Sequence, residues 1–284
     1  MFIIAKRNLK LFFRDRTGVL MSFMSVFIIL GLYVLFLGET LSSNLPDVEG
    51  AKFLLNSWVM AGILAVTTVT ATLGAFGVMV DDRARGLLKD FTAAPVKRQH
   101  IVGGYILSAC SIGMILSVVT LLMAELYIIA FGGQWLSFWS IIQVIGILAL
   151  SVLTGGSIMF FITSMLRTIS AFTTASTIIG TLIGFLTGIY IPIGTLPVAM
   201  QWVIKLFPIS HAGALLRSVM VEEPMAQAFD GAPEEAIREF KVDMGVVFDF
   251  GGSLSTMGTS LAVLAGTTLV FCLLSIAIMR RTNQ

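Results

Sequence analysis

Six apolar runs, each about as long as a helix must be to cross a bilayer, constrain this chain more than any other feature. They fall at about residues 18–38, 57–80, 101–131, 138–163, 168–191 and 257–279. A hydrocarbon core roughly 30 Å thick is crossed by about 20 helical residues rising 1.5 Å each. The runs lack the period-2 alternation of a membrane barrel. Only 12% of the 284 residues are charged, too few to cover a soluble domain, which carries about 25%. The expected fold is an all-α polytopic membrane protein with six transmembrane helices, a single transmembrane domain over 1–284. The third run exceeds the length of one crossing and is expected to tilt or project from the bilayer. Basic residues before the first run resemble a signal peptide, but that run is span-length and has no small-x-small exit, so no cleaved leader is expected.

Six spans put both termini on one side. Thirteen of the 18 Lys and Arg residues lie on that side: Lys6 to Arg16, Arg83 to Arg98, Arg167, Arg280 and Arg281. The other side holds Lys52, Lys205, Arg217, Arg238 and Lys241, with eight acidic residues between Glu222 and Asp249. Positive residues favour the cytoplasm, so both termini are expected there, in the plasma membrane of a bacterial cell.

The segments outside the spans carry their own patterns. Over 1–17, Phe2, Ala5, Leu9, Phe12 and Phe13 form one helical stripe with Arg7, Lys10 and Arg14 beside it. That suits an interfacial helix among lipid headgroups, or simply the basic flank of the first span. Over 192–217, Pro192, Pro197 and Pro208 break an apolar stretch into short pieces, and a broken re-entrant hairpin on the outer side is expected rather than a seventh crossing. Leu196, Met200, Val203 and Phe207 share one face of it, with Gln201 and Lys205 opposite. Residues 221–256 read as a small acidic extracellular cap in which Pro233-Glu234-Glu235 opens a helix.

Several chemistries find no support. No G-x-x-x-x-G-K-[ST] loop occurs, so the chain has no conventional nucleotide site of its own. His100 and His211 fall on opposite sides of the membrane without metal-ligand spacing, and no metal or other cofactor is expected. A hydrolase built on adjacent Ser210 and His211 is disfavoured, because sequence neighbours rarely face each other productively. Cys110 and Cys272 lie inside spans as packing residues, and the juxtamembrane basic residues do not suggest nucleic acid. One carboxylate, Glu125, falls within a span near its outer end, and is either a pathway residue or a structural one paired locally. Arg217 either anchors the outer hairpin or meets an acidic partner. The Gly/Thr clusters TTVTATLGAFG and GTLIGFLTGIY allow close helix packing or a polar pore face.

The segment DDRARGLLKDFTAAPVKRQH, residues 81–100, interrupts two spans with charge. Leu87, Leu88 and Phe91 recur at helical spacing and Pro95 closes the run, which suits either a short helix docking in a partner's groove or a solvated loop. Within it, Gly86, Leu88, Ala93, Pro95, Val96 and Arg98 resemble the cytoplasmic loop of ABC-2-type transporter permeases, with Leu87 where that family commonly has Thr. A second stretch, GIYIPIGTLPVAMQWVIKLFPISHAGALLR, matches the same family at Gly188, Pro192, Leu196, Pro197, Met200, Gln201, Pro208, Ser210, His211 and Arg217.

The resemblance implies the permease subunit of an ABC exporter. Gly86, Leu87, Leu88, Phe91, Pro95 and Arg98 would form a coupling helix on a separate ATP-binding cassette ATPase subunit, which holds ATP and magnesium. Two permeases, identical copies or paralogues, would pair around a path, and Gly188, Pro192, Pro197, Pro208, His211 and Arg217 would shape the outer exit. The expected cargo is an amphipathic compound such as a drug, an antimicrobial peptide or a lipid-like molecule. The alternatives are a lipid-linked glycan or teichoic-acid-like polymer moved by the same machine, or an ion-coupled secondary transporter working alone.

Overall fold

In a computed structural model of the chain, residues 1–37, 50–87 and 98–281 are described. Among them the chain is helical almost throughout, without a β-strand. The order is α1 (Phe2–Arg14), α2 (Arg16–Ser22), α3 (Met24–Leu32) ending in a π-turn over Tyr33–Leu37, α4 (Ala51–Ala84), α5 (Arg98–Ala130), α6 (Phe138–Met165) and α7 (Ile169–Leu186). After a 3-10 turn at Ile193–Thr195 come α8 (Val198–Leu206), α9 (Pro208–Met220), α10 (Glu222–Ala228), α11 (Glu234–Asp243) and α12 (Met257–Arg281). Six segments are long and apolar enough to cross a membrane: Arg16–Leu35, α4, α5, α6, α7 and α12. The six-span all-α expectation is met, with shifted boundaries. The second span runs over 51–84 rather than 57–80, so α4 is about 51 Å long, and the fifth ends at Leu186 rather than 191.

α4 is the axis of the bundle. It is apolar on every side and most of it is buried, as a helix without a polar face must be. α5, α6 and α9 pack along it, and α12 closes against α6 and α9. Glycine sets the spacing of the inner helices. A Cβ at Gly113 would lie 2.6 Å from Thr72 Cγ2, and one at Gly156 would lie 3.1 Å from Cys110 Sγ, so these surfaces approach as closely as small residues allow. The first Gly/Thr cluster is therefore packing: Thr67, Thr68 and Thr72 are buried and donate to carbonyls of their own helix. Across the α6–α12 contact, Thr154 and Thr268 hydroxyls meet at 2.9 Å.

Arg83 Nη1 donates to the Ser164 and Leu166 carbonyls, joining the ends of α4 and α6, and Phe161 stacks edge-on with Phe271 of α12. The C-terminal helix thus finishes at the same end of the bundle as α1. That end is rich in Arg and Lys; the opposite end carries α10 and α11 as a cap.

Candidate functional site

At the basic end, α1 lies against the first turns of α5. A Cβ at Gly104 would fall 2.7 Å from Ile4 Cβ, and one at Gly103 2.9 Å from Met1 Sδ, so the two glycines make the groove that receives α1. The buried face of α1 is Ala5, Asn8 and Phe12. Phe2 and Phe13, which the sequence pattern sets on the apolar stripe of an interfacial helix, are exposed. Asn8 Nδ2 donates to Ser108 Oγ at 3.3 Å.

Arg7 turns inward as well. Its guanidinium donates to both oxygens of Asp82 at 2.6 and 2.9 Å, and the Tyr105 hydroxyl donates to Asp82 Oδ2 at 2.6 Å. The Asp82 carboxylate is buried in the last turn of α4, and its hydrogen bonds raise the Arg7 pKa above its ordinary value. Two charge-assisted bonds in a fork fix geometry as well as charge. N-terminal helix, second span and third span are thereby joined at the point where the 81–100 segment departs.

Of that segment, Asp81 to Ala84 belong to α4 rather than to a separate helix. Gly86 turns the chain with φ +79°, and among the described residues nothing stands within 4 Å of a Cβ placed there. Leu87 is half-buried. Leu88, Phe91 and Pro95 lie outside the described residues, and Arg98 opens α5.

At the cap end the expected broken hairpin is present, bent by 87° between α8 and α9. Gly188 ends α7 with φ +64°, a conformation open to glycine, and a Cβ would collide with Ile193 Cγ1 at 2.7 Å. Pro192 precedes the 3-10 turn, Pro197 precedes α8, and Pro208 is the first residue of α9, where its missing N–H costs nothing. α9 is buried along nearly its whole length. α8 differs from the soluble pattern: Met200 and Val203 face outward while Gln201 and Lys205 turn in. Gln201 Nε2 donates to the Leu196 carbonyl and Lys205 Nζ to that of Asp249.

Arg217 is fully buried and stacks 4.5 Å from the Trp58 ring centre. Its Nη2 donates to the Gly188 carbonyl at 3.1 Å and its Nη1 to that of Gly245 at 3.4 Å. Among the described residues no carboxylate pairs with it. Arg217 thus anchors the hairpin, joining α4, the end of α7, α9 and the cap. Trp58 Nε1 donates to Met244 O at 2.7 Å, adding a second stitch. His211 spans the other side. Its Nε2 lies 3.0 Å from the Lys205 carbonyl, which can only accept, so in the neutral ring Nε2 carries the proton and Nδ1 accepts from Ser260 Oγ at 3.0 Å. Ser210 donates instead to the Leu186 carbonyl, so the two neighbours form no nucleophile–base pair. Glu125 Oε2 accepts from the Leu136 N–H at 3.1 Å, tying the α5–α6 loop back onto α5; Oε1 is buried without a partner among the described residues. Among the described residues no cluster of His, Cys, Asp and Glu could hold a metal.

One surface escaped the sequence pattern. α7 is the least buried of the spans, and Ser170, Thr173, Thr174, Thr177 and Thr181 line its exposed side. Each threonine hydroxyl donates to a carbonyl four residues back. The second Gly/Thr cluster is accordingly divided: Gly184 receives the Tyr190 ring, whereas Gly180 and Thr181 face open space.

A family model described as ABC-2 type transporter matches residues 1–221. No curated protein matches the chain.

Proposed function

The chain belongs to the ABC-2 type transporter family, and from that premise we propose that it is the permease of an exporter for an amphipathic compound, driven by a separate ATP-binding cassette subunit. The basic end faces the cytoplasm, as its Lys and Arg excess favours. There Gly86, Leu87, Leu88, Phe91, Pro95 and Arg98 dock on the ATPase, and the Arg7–Asp82–Tyr105 junction carries their displacement into α1, α4 and α5 together. At the other end, the hairpin held by Gly188, His211 and Arg217 borders the exit.

The observation that supports this reading best is the hydroxyl stripe of α7. A line of serine and threonine on a span whose remaining residues are apolar gains nothing from lipid, and it suits a protein or aqueous surface. A second permease copy facing it would enclose a path with mixed polar and apolar walls, the kind that an amphipathic molecule requires.

The test is purification from the native membrane with an ATPase assay on the associated proteins. An ATP-binding subunit should accompany the chain in stoichiometric amount and be lost on Leu88→Asp or Phe91→Asp, while the variants still insert. A chain that purifies alone and transports under an ion gradient refutes the reading.

A further inference from the structure

A cavity of about 540 Å³ opens at the basic end of the bundle, between the corner that joins α1 to α2, the second half of α4 and α7. It falls within the range of small-molecule sites, about 300–1,000 Å³. The space exists because of glycines. A Cβ on Gly180 of α7 would meet nothing within 4 Å, and one on Gly74 of α4 would come no closer than 3.8 Å to Ser22 Oγ. Small residues inside a membrane bundle ordinarily bring helices together, as Gly113 and Gly156 do. Here they leave room.

The walls are chemically one-sided. Phe12, Leu73 and Phe172 give apolar surface, and the charged residues among the lining are Asp15 and Asp81, with no Lys or Arg in that lining. Arg14 and Arg16 flank Asp15 in sequence but do not reach the lining. Asp15 Oδ1 caps α2 by accepting from the Gly18 N–H, and no cation pairs with Asp15 among the described residues. Asp81 meets Arg85 at 2.9 Å, but both side chains are solvent-exposed, and such a pair yields easily to a competitor. Ser176 stands on the same wall, and its Oγ is buried and has no hydrogen-bond partner among the described residues.

We propose that this cavity binds an amphipathic organic cation, with its apolar body between Phe12, Leu73 and Phe172 and its positive centre against Asp15 and Asp81. That the site loads cargo for export rests on the permease reading above; that it binds such a cation does not.

Equilibrium binding of labelled tetraphenylphosphonium to the permease in phosphatidylcholine nanodiscs tests the proposal, with tetraphenylborate as the match of equal shape and opposite charge. Binding of the cation should saturate, and tetraphenylborate should not compete for it. The double variant Asp15→Asn/Asp81→Asn should weaken it tenfold or more. Asparagine still caps α2, so that loss reports charge rather than folding. Gly180→Leu, which fills open space, should weaken it to a similar degree. Non-saturating uptake, or saturable binding indifferent to these variants, overturns the site. A separate arm reads ATP hydrolysis by the complex with its ATPase. Stimulation by the cation that falls in the same variants supports the loading role, and binding without stimulation removes that role while the site stands. An ATPase that couples to this permease without saturable cation binding leaves the permease reading intact and sinks the site alone.

Discussion

Replacing Arg7 by alanine should release α1 from the bundle without unfolding the spans. The helix is held by Ala5, Asn8 and Phe12 in the groove made by Gly103 and Gly104, and by the fork from Arg7 to Asp82 at 2.6 and 2.9 Å. A hydrogen bond to a charged group is worth about 1.5–3 kcal/mol. The Arg7 side chain is 32% exposed, so water recovers part of that when the fork opens, and the pair together should contribute about 2 kcal/mol. At about 1.4 kcal/mol per tenfold change, the undocked population of α1 should rise about 30-fold. Amide hydrogen exchange in nanodiscs reads this population directly: α1 amides should exchange about 30-fold faster in Arg7→Ala, with α4 and α6 unchanged. Arg7→Lys should fall between, since lysine restores charge without the fork. The double variant Arg7→Ala/Asp82→Asn should be less than additive, because it no longer strands a buried carboxylate. Exchange within about threefold of the parent in Arg7→Ala, or full additivity in the double variant, refutes the idea that this pair docks the helix.

Two further substitutions separate structural roles from others. Arg217→Lys should destabilise the fold at least as much as Arg217→Met, by about 2–3 kcal/mol in thermal unfolding, because lysine keeps a buried charge without a carboxylate partner and cannot span both carbonyls; a stable lysine variant would reveal a counter-charge. Glu125→Gln should retain transport, since the amide oxygen can still accept from the Leu136 N–H, whereas Glu125→Ala should cost about 1–2 kcal/mol of stability; transport abolished in a well-folded glutamine variant would make the carboxylate part of the path.

The spans were readable because a backbone in hydrocarbon must close its own hydrogen bonds, which forces long uninterrupted helices whatever their neighbours. The centrality of α4 was not. A run that is apolar all round has no moment to mark a buried face, so nothing in 51–84 distinguishes an axis from a peripheral span. The Arg7–Asp82 pair was hidden differently. Its partners are 75 residues apart, and Asp82 stands in a charged stretch that reads equally well as a solvated loop. The α8 face was legible as a pattern and inverted in meaning: Met200 and Val203 repeat at helical spacing, yet they face outward while Gln201 and Lys205 turn in. The motif positions Gly188, Pro192, Pro197 and Pro208 were informative because each imposes a backbone geometry, and each ends or begins an element where the pattern places it. Leu88, Phe91 and Pro95 lie outside the described residues, so the coupling expectation rests on family and pattern.

Inward-facing cations at the cap end of the bundle are committed to main-chain carbonyls. At the basic end arginine meets carboxylate in Arg7–Asp82 and Arg85–Asp81 and backbone in Arg83. At the cap end the inward-facing cations are spent on backbone: Arg217 on the Gly188 and Gly245 carbonyls, Lys205 on that of Asp249. Gly188 follows the C-terminus of α7, where the helix dipole favours a positive group, so Arg217 needs no acid there. Among the described residues the acidic residues of the cap form no ion pair. Glu222, Glu223, Glu234 and Glu235 occupy the first turns of α10 and α11, where the same dipole favours negative charge. A hairpin joined to the fifth span and cap through main-chain carbonyls is tied to backbone position rather than to side-chain charge, so hairpin, cap and the end of α7 should move as one body.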